Sequence, residues 1–217
     1  MGPPSFVVEF TGPSGVGKST LATEVLRVLV ARGVTATLHG TARGVGWSPA
    51  ARRSGSVRAV VRHPRLAGWC TANLLVRSRP LFHRIPTRVT ELCRAAERAE
   101  WLRTVPGIHL VDEGAYRHLP GLLARQRSVA AGLVRALPRL DLCVAVDASP
   151  ATAEQRRRAR GSAVDAPGYK LRKHQLHRDA LELIAAAVPV LVISTDSDDL
   201  EVAAGAVVRR ILATWPT

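Results

Sequence analysis

Residues 12–19 read Gly-Pro-Ser-Gly-Val-Gly-Lys-Ser, a full match to the pattern GxxxxGK[ST], and the flanking sequence gives that pattern its meaning. Before it, Phe6 to Thr11 (FVVEFT) is short, β-branched and aromatic, as a buried strand is. After it, Lys18 to Ala31 carries apolar residues at Leu21, Val25, Val28 and Leu29, a helical spacing closed by Gly33. A glycine-rich turn between a strand and a helix curls the backbone so that successive N–H groups converge on an anion. Gly12, Gly15 and Gly17 permit the curl, and Pro13, Ser14 and Val16 complete it. The helix beginning near Lys18 adds its positive end. In this arrangement Lys18 reaches the β- and γ-phosphates, and the Ser19 hydroxyl, followed by Thr20, ligates Mg²⁺. The stretch predicts binding of ATP or GTP with magnesium.

Outward from the loop, strands alternate with helices. Val34 to Leu38 reads as a second strand, followed by basic helical stretches over Val57 to Arg77, interrupted near His63-Pro64, and over Thr87 to Thr104. Ile108 to Val111 reads as a third strand and Gly121 to Leu137 as a helix. Leu142 to Val146 is a fourth strand ending in Asp147, and Pro150 to Ala159 a helix. A Gly/Pro-containing loop over Arg160 to Lys170 leads to a helix over Leu171 to Ala187. Val190 to Ile193 is the fifth strand, and Leu200 to Leu212 the last helix. The order predicts an α/β fold in three layers, a five-stranded parallel sheet with helices on both faces. No repeat or linker divides the 217 residues, so a single domain is expected.

Apolar residues make up 47% of the chain and charged residues 22%, which excludes a disordered tail. No apolar run reaches the ~20 residues of a membrane span, and Met1 to Phe10 carries neither a basic leader nor a cleavage site. Cys70, Cys93 and Cys143 are odd in number and scattered, so neither a disulfide framework nor a zinc site is expected, and a reducing cytoplasm is the simplest location. The net charge is +14. Val25 to Thr90 contains no Asp or Glu, and a second basic cluster runs from Arg156 to Arg178. Two separated cationic stretches suit an anionic partner, although an arginine-rich surface also serves solubility.

Val111-Asp112-Glu113-Gly114 closes the third strand. Asp112, at the carboxyl end of a strand beside the phosphate loop, suits a magnesium ion held with Ser19. Glu113, or Asp112 itself, is placed to orient or deprotonate an attacking oxygen; a plain capping or ion-paired turn is the alternative. If that oxygen is water the protein is an ATPase, and if it belongs to a bound acceptor the protein is a kinase. Arg156, Arg157, Arg158 and Arg160 precede the loop, and guanidinium groups there could fold over the triphosphate as a lid spanning 156–170. A solvated helix face is the other use of such a run.

On GPSGVGKST (Gly12 to Thr20), VDEG (Val111 to Gly114) and RRRAR (Arg156 to Arg160), the chain resembles the P-loop kinases of the nucleoside and nucleotide kinase group, thymidylate-kinase-like in layout. The resemblance implies the P-loop NTPase fold, Arg156 and Arg160 as catalytic lid residues, and Arg157 among the nucleotide-binding residues. The segment ISTDSDDLEV (Ile193 to Val202) looks like the turn near the nucleotide base in such kinases, which brings in Asp196. An N-cap with acidic first-turn residues explains Ser197, Asp198 and Asp199 equally. Two departures stand out. The third strand is followed by Asp112-Glu113-Gly114 rather than an Asp-Arg-Tyr type motif, and LHGTARG after the second strand offers His39 but no carboxylate. VDEG also resembles a motif of kinase-like proteins associated with glycan or natural-product biosynthesis.

In this layout residues 40–106 cover the acceptor. Their arginines, Arg43, Arg52, Arg53, Arg58, Arg77 and Arg84 among them, suit an acceptor that already bears phosphate. Trp47, Trp69 and Trp101 could stack on a ring, though core or interface packing suits each better, and His63 and His83 read as surface or loop residues. A membrane-surface helix over Val57 to Val76 is weakened by His63-Pro64. Nucleic acid has only nonspecific charge in its favour, and a homodimer is compatible with the sequence. The sequence thus points to an ATP- and Mg²⁺-dependent kinase of a nucleotide or other phosphorylated small metabolite. A kinase of a hydroxyl group on a sugar, antibiotic or natural product is the first alternative, and an ATPase or regulatory NTP-binding protein the second.

Overall fold

A computed structural model describes residues 4–40, 58–77, 85–112, 114–124, 127–161, 167–196 and 199–215. Five parallel strands, β1 (Ser5–Thr11), β2 (Ala36–His39), β3 (Gly107–Asp112), β4 (Leu142–Asp147) and β5 (Val190–Ser194), form one sheet in the order β2-β3-β1-β4-β5. β1 is central. It runs in register with β3 from Ser5 opposite Gly107 to Phe10 opposite Asp112, and with β4 from Val8 opposite Leu142 to Thr11 opposite Ala145. The connection from β1 runs to β2 on one side of the sheet and the one from β3 crosses β1 to reach β4 on the other, so a crevice opens at the carboxyl end of β1.

The alternation of side chains along β1 separates two cores. Phe6, Val8 and Phe10 pack under α1 (Lys18–Ala31) and the last helix, α8 (Leu200–Thr214), with Leu21, Val25, Leu29, Val207 and Ile211. Val7 faces the other way, into a core built by α2 (Pro64–Arg77), α3 (Ile85–Leu102), α4 (Leu119–Leu123), α5 (Arg127–Ala136) and α7 (Pro167–Ala185). Helices therefore cover both faces, and the expected three-layer α/β architecture with a five-stranded parallel sheet is what forms. α6 (Pro150–Ala159) follows β4, with Ser149 as its N-cap accepting from the Thr152 N–H at 3.1 Å.

Differences from the expected elements have local causes. Proline is tolerated in a first helical turn, where its missing N–H has no partner to lose. Thus α2 starts at Pro64 after a break at His63, and α7 starts at Pro167 rather than Leu171. The segment 156–170, expected to act as a lid, is consequently helical at both ends, and residues 162–166 lie outside the described residues. The single helix expected over Gly121 to Leu137 is replaced by a 3₁₀ turn (Tyr116–His118), α4 and α5. Among the described residues no helix is long and apolar enough to cross a membrane. Cys70, Cys93 and Cys143 are buried free thiols.

Candidate functional site

The loop between β1 and α1 approaches its neighbours so closely that side chains are excluded. At Gly12 φ is +145°, and a Cβ would run into the Val146 carbonyl oxygen; at Gly15 φ is +95°, and a Cβ would meet the Ala153 carbonyl oxygen. The loop is thereby seated against β4 and α6. No side chain caps the start of α1 and its first turn holds no acidic residue, so its leading N–H groups retain their capacity for an anion. Lys18 is 7% exposed and folds back along the loop, its Nζ donating to the carbonyl oxygens of Gly12 at 3.0 Å and Pro13 at 2.8 Å.

Ser19 and Asp112 meet across the sheet. The Ser19 hydroxyl donates to Asp112 Oδ2 at 2.6 Å, while Asp112 Oδ1 is buried without a hydrogen-bond partner. A buried carboxylate oxygen left over beside a hydroxyl is a donor set that fits a hard divalent cation such as Mg²⁺. Glu113 lies outside the described residues, as do Arg43, Trp47, Arg52, Arg53, His83 and Arg84.

Arg156 sits differently from the expected lid residue. Its guanidinium donates to the Thr195 hydroxyl at 2.8 Å, the Thr195 carbonyl at 2.9 Å and the Val16 carbonyl at 3.4 Å. It ties the turn after β5 to the 12–19 loop, beside Gly17. Arg157 lies along the loop crown, its side chain 15% exposed and packed near Gly15, with Nη1 3.9 Å from Glu154 Oε2. Arg158 pairs with Glu154 at 3.0 Å. Arg160 is exposed, its Nε donating to the Arg156 carbonyl at 3.3 Å. The Asp196 carboxylate accepts from the Ser149 N–H. Hydrogen bonding to Thr152 and Ser149 holds it below the usual carboxylate range, so it braces the start of α6. Asp199 supplies the N-cap of α8.

Sequence reading overlooked Glu9. It points to the same face of β1 as Val7 yet is 2% exposed, and its carboxylate accepts from the backbone N–H of Tyr116 at 2.9 Å and Ala115 at 3.1 Å. A charged residue inside a strand covered on both faces was the available signal, since such positions read as continuous apolar runs. Glu9 holds the turn that starts two residues after Asp112. It also allows no Cβ at Gly114, where the added carbon would strike the carboxylate.

Burial pushes the Glu9 pKa up to about 8 from an ordinary 4.5, against the pull of the Tyr116, Ala115 and Gly114 N–H groups and of Arg117. The folded chain thus binds more protons than the unfolded chain between those values. The associated stability is complete below the unfolded pKa and is lost as pH rises through about 8, by at most ~1.4 kcal/mol per pH unit. The melting temperature is expected to fall from pH 5 to pH 8, and Glu9→Gln to flatten that slope whatever constant offset the lost acceptor brings. Parallel melting profiles for the two proteins would show that Glu9 does not titrate in this window.

Beside Glu9 a cavity of about 270 Å³ opens between β1, the turn after β3, and α3, with Arg94, Arg98, Arg117, Glu91 and His118 among its lining. Part of the expected acceptor segment, 40–106, therefore does border a cavity, through α3. Arg58, expected among the acceptor arginines, is instead engaged with Glu97 at 3.1 Å, as is Arg62 at 3.2 Å. Trp101 is 56% exposed and meets His39 edge-on, with ring centroids 6.4 Å apart. His63, expected as a surface or loop residue, lies at the break before α2 with a side chain only 11% exposed, 3.6 Å from Glu100. Of the side chains of Trp69 and Arg77 nothing is described.

His39 is committed to His109, 3.2 Å away. His109 Nε2 lies 2.8 Å from the Val105 carbonyl oxygen, which can only accept. His109 therefore carries its proton on Nε2 and accepts on Nδ1 from His39 Nε2–H. Burial, with His109 and Arg98 nearby, brings His39 down to about 4.

Two further residues missed in the sequence lie on α7. His174, 7% exposed, and His177 line a cavity of about 190 Å³ together with Thr11, Gly12, Pro13 and Arg178. Asp147, at the end of β4, lies 3.9 Å from His174 Nδ1 and 3.6 Å from Arg178 Nη2.

No protein-family model matches the sequence, and no curated protein matches it at the sequence level. The fold does have solved counterparts. A deoxyadenosine kinase from M. mycoides with products dCMP and a flexible dCDP bound superposes with a TM-score of 0.57 at 11% identity, over 96% of this chain and 100% of the other. The deoxyadenosine kinase from M. mycoides with bound dATP gives 0.55 at 11% identity, over 95% and 100%. The chain is thus similar in fold, from end to end, to P-loop deoxyadenosine kinases.

Proposed function

We propose that this protein is a kinase that transfers the γ-phosphoryl group of ATP to a nucleotide or another phosphorylated small metabolite. The observation that carries the reading is the Ser19–Asp112 pair at the 12–19 loop, with one buried carboxylate oxygen to spare. Val111 and Gly114, on either side of Asp112 in the chain, border an arginine-lined cavity. Ser19 and Asp112 would hold Mg²⁺, which supplies positive charge to the phosphate oxygens when bound. Lys18 exchanges the Gly12 and Pro13 carbonyls for β- and γ-phosphate oxygens. The loop N–H groups of residues 12–19 and the uncapped start of α1 orient the chain of phosphates. Arg157, along the loop crown, and Arg160 are the lid residues assigned to the transferring group. Arg156 acts by fixing Val16 and Thr195. Asp112 or Glu113 orients the attacking oxygen.

Arg94, Arg98 and Arg117 give the cavity beside Glu9 the chemistry of an anionic acceptor site, since guanidinium groups pair with phosphate in a directed, two-point manner. Arg94→Ala is expected to raise the acceptor KM by about tenfold or more with little change in kcat, the signature of lost binding rather than lost transition-state stabilisation. Equal acceptor KM values in steady-state assays of the two proteins would remove Arg94 from the site.

A second reading, a kinase of a hydroxyl group on a nucleoside, sugar or natural product, draws support from the fold likeness to deoxyadenosine kinases. Phosphorus NMR with Mg²⁺ and ATP separates the two, using one pool of nucleoside monophosphates and sugar phosphates and another of nucleosides, free sugars and aminoglycoside-like alcohols. A new diphosphate signal from the first pool supports the main reading, and a new phosphomonoester from the second supports the alternative. Inorganic phosphate released at one rate with or without either pool would replace both by an ATPase.

A further inference from the structure

We propose that His174 and His177 belong to the polyphosphate site, and that they take up a proton when a nucleoside triphosphate binds. The proposal rests on the reading of the 12–19 loop as a nucleoside triphosphate site and adds to it a contact surface that the loop motif does not contain.

The two imidazoles lie one turn apart on α7, on the face turned to the phosphate loop. Together with Arg178 they line the 190 Å³ cavity that Thr11, Gly12 and Pro13 also border. His174 also borders the cleft at the loop crown, with Ser14, Arg157 and Lys173. It is more than nine-tenths buried, and its Nδ1 makes no hydrogen bond. A buried ring nitrogen without a partner is costly unless a ligand or a proton completes it. His177 lies near Lys18, the residue whose ammonium group folds over the Gly12 and Pro13 carbonyls.

The charges and burial around these rings disfavour their protonated forms in the absence of a ligand. Lys18 from α1, Arg157 from α6, and Lys173 and Arg178 from α7 itself surround them, with Glu154 of α6, Asp147 of β4 and Asp196 after β5 as the acidic groups nearby. Burial, followed by Lys18, Lys173 and His174, brings His177 down to about 3. Burial also lowers His174, with Asp147 opposing. A triphosphate placed on the loop reverses the balance. Its oxygens neutralise Lys18 and the arginines and offer acceptors to ring N–H groups, so the charged imidazole becomes the favoured form. A protonated His174 also gains Asp147, 3.9 Å from Nδ1, as a second partner. By linkage, a proton taken up on binding makes affinity rise as pH falls.

The test is calorimetric titration of the full chain with Mg²⁺ and ATPγS near pH 7.5, in two buffers of different ionisation enthalpy. The wild-type chain is expected to take up roughly 0.5–1 proton per nucleotide and to bind up to about tenfold tighter per unit fall in pH between 8 and 6. The double variant His174→Asn/His177→Asn should bind with uptake near zero and a flat pH profile. Equal heats in the two buffers for the wild-type chain overturn the proposal without any variant. Unchanged uptake in a double variant that binds nucleotide assigns the proton elsewhere and overturns it too. Absence of binding at every pH would overturn the nucleotide site itself.

Discussion

Replacing Lys18 by alanine is expected to lower phosphoryl transfer from ATP by about 10³-fold or more while the protein stays folded. Two magnitudes decide between loss of activity and loss of structure. The variant forfeits the hydrogen bonds from Nζ to the Gly12 and Pro13 carbonyls, worth about 1–2 kcal/mol together. It also forfeits a fixed cation at the point where negative charge is transferred, worth about 4 kcal/mol in the transition state. The loop itself is held by other means, since Gly12 and Gly15 are seated on β4 and α6 and Val16 is held by Thr195 and Arg156. Transfer assays paired with thermal melts check the expectation. Activity within tenfold of wild type would mean that Lys18 is not where the phosphates sit.

Asp112→Asn should cost about 10²–10³-fold in kcat and raise the Mg²⁺ concentration needed for half-maximal activity. The asparagine carbonyl can still take the Ser19 hydroxyl now bound by Oδ2 at 2.6 Å. The charge and the spare acceptor at Oδ1 are what disappear. Stability should therefore change little, because the substitution preserves shape and the hydrogen bond to Ser19 while removing a buried, half-partnered carboxylate. Magnesium titrations of activity, alongside melting curves, separate the two effects. A variant that melts much lower but transfers phosphate normally at ordinary Mg²⁺ would recast Asp112 as a structural residue.

The glycine-rich loop of residues 12–19 was legible because its conformation is local. Consecutive residues from Gly12 to Ser19 set the backbone angles, direct the N–H groups and start α1, so the pattern and its flanking strand and helix suffice. The five strands were legible for a similar reason: each is a short apolar run bounded by glycine, proline or a charged residue. Asp112 was legible as a strand-end carboxylate beside the loop. Its partnership with Ser19 spans the sheet and needs β1 and β3 side by side.

Contacts between distant residues were not legible. Glu9 takes its meaning from a turn more than a hundred residues later, and in the sequence it is one charge inside a strand. His174 and His177 read as part of a basic helix, and only the packing of α7 against the loop makes them neighbours of Lys18. Arg58 counted among the acceptor arginines until the approach of α3 gave it Glu97, while Arg94 and Arg98, on the same segment, came to line a cavity. Arg156 sat in a run of guanidinium groups that suited a lid, and Thr195 and Val16 hold it between the 12–19 loop and the turn after β5. By itself the sequence determined the class of fold, the glycine-rich loop between β1 and α1 and the strand-end acid, because these follow from backbone geometry and side-chain periodicity over a few residues. The tertiary structure decided the order β2-β3-β1-β4-β5, the burial of Glu9 and which cations face the cleft, because charge and burial depend on neighbours that only chain crossovers bring together.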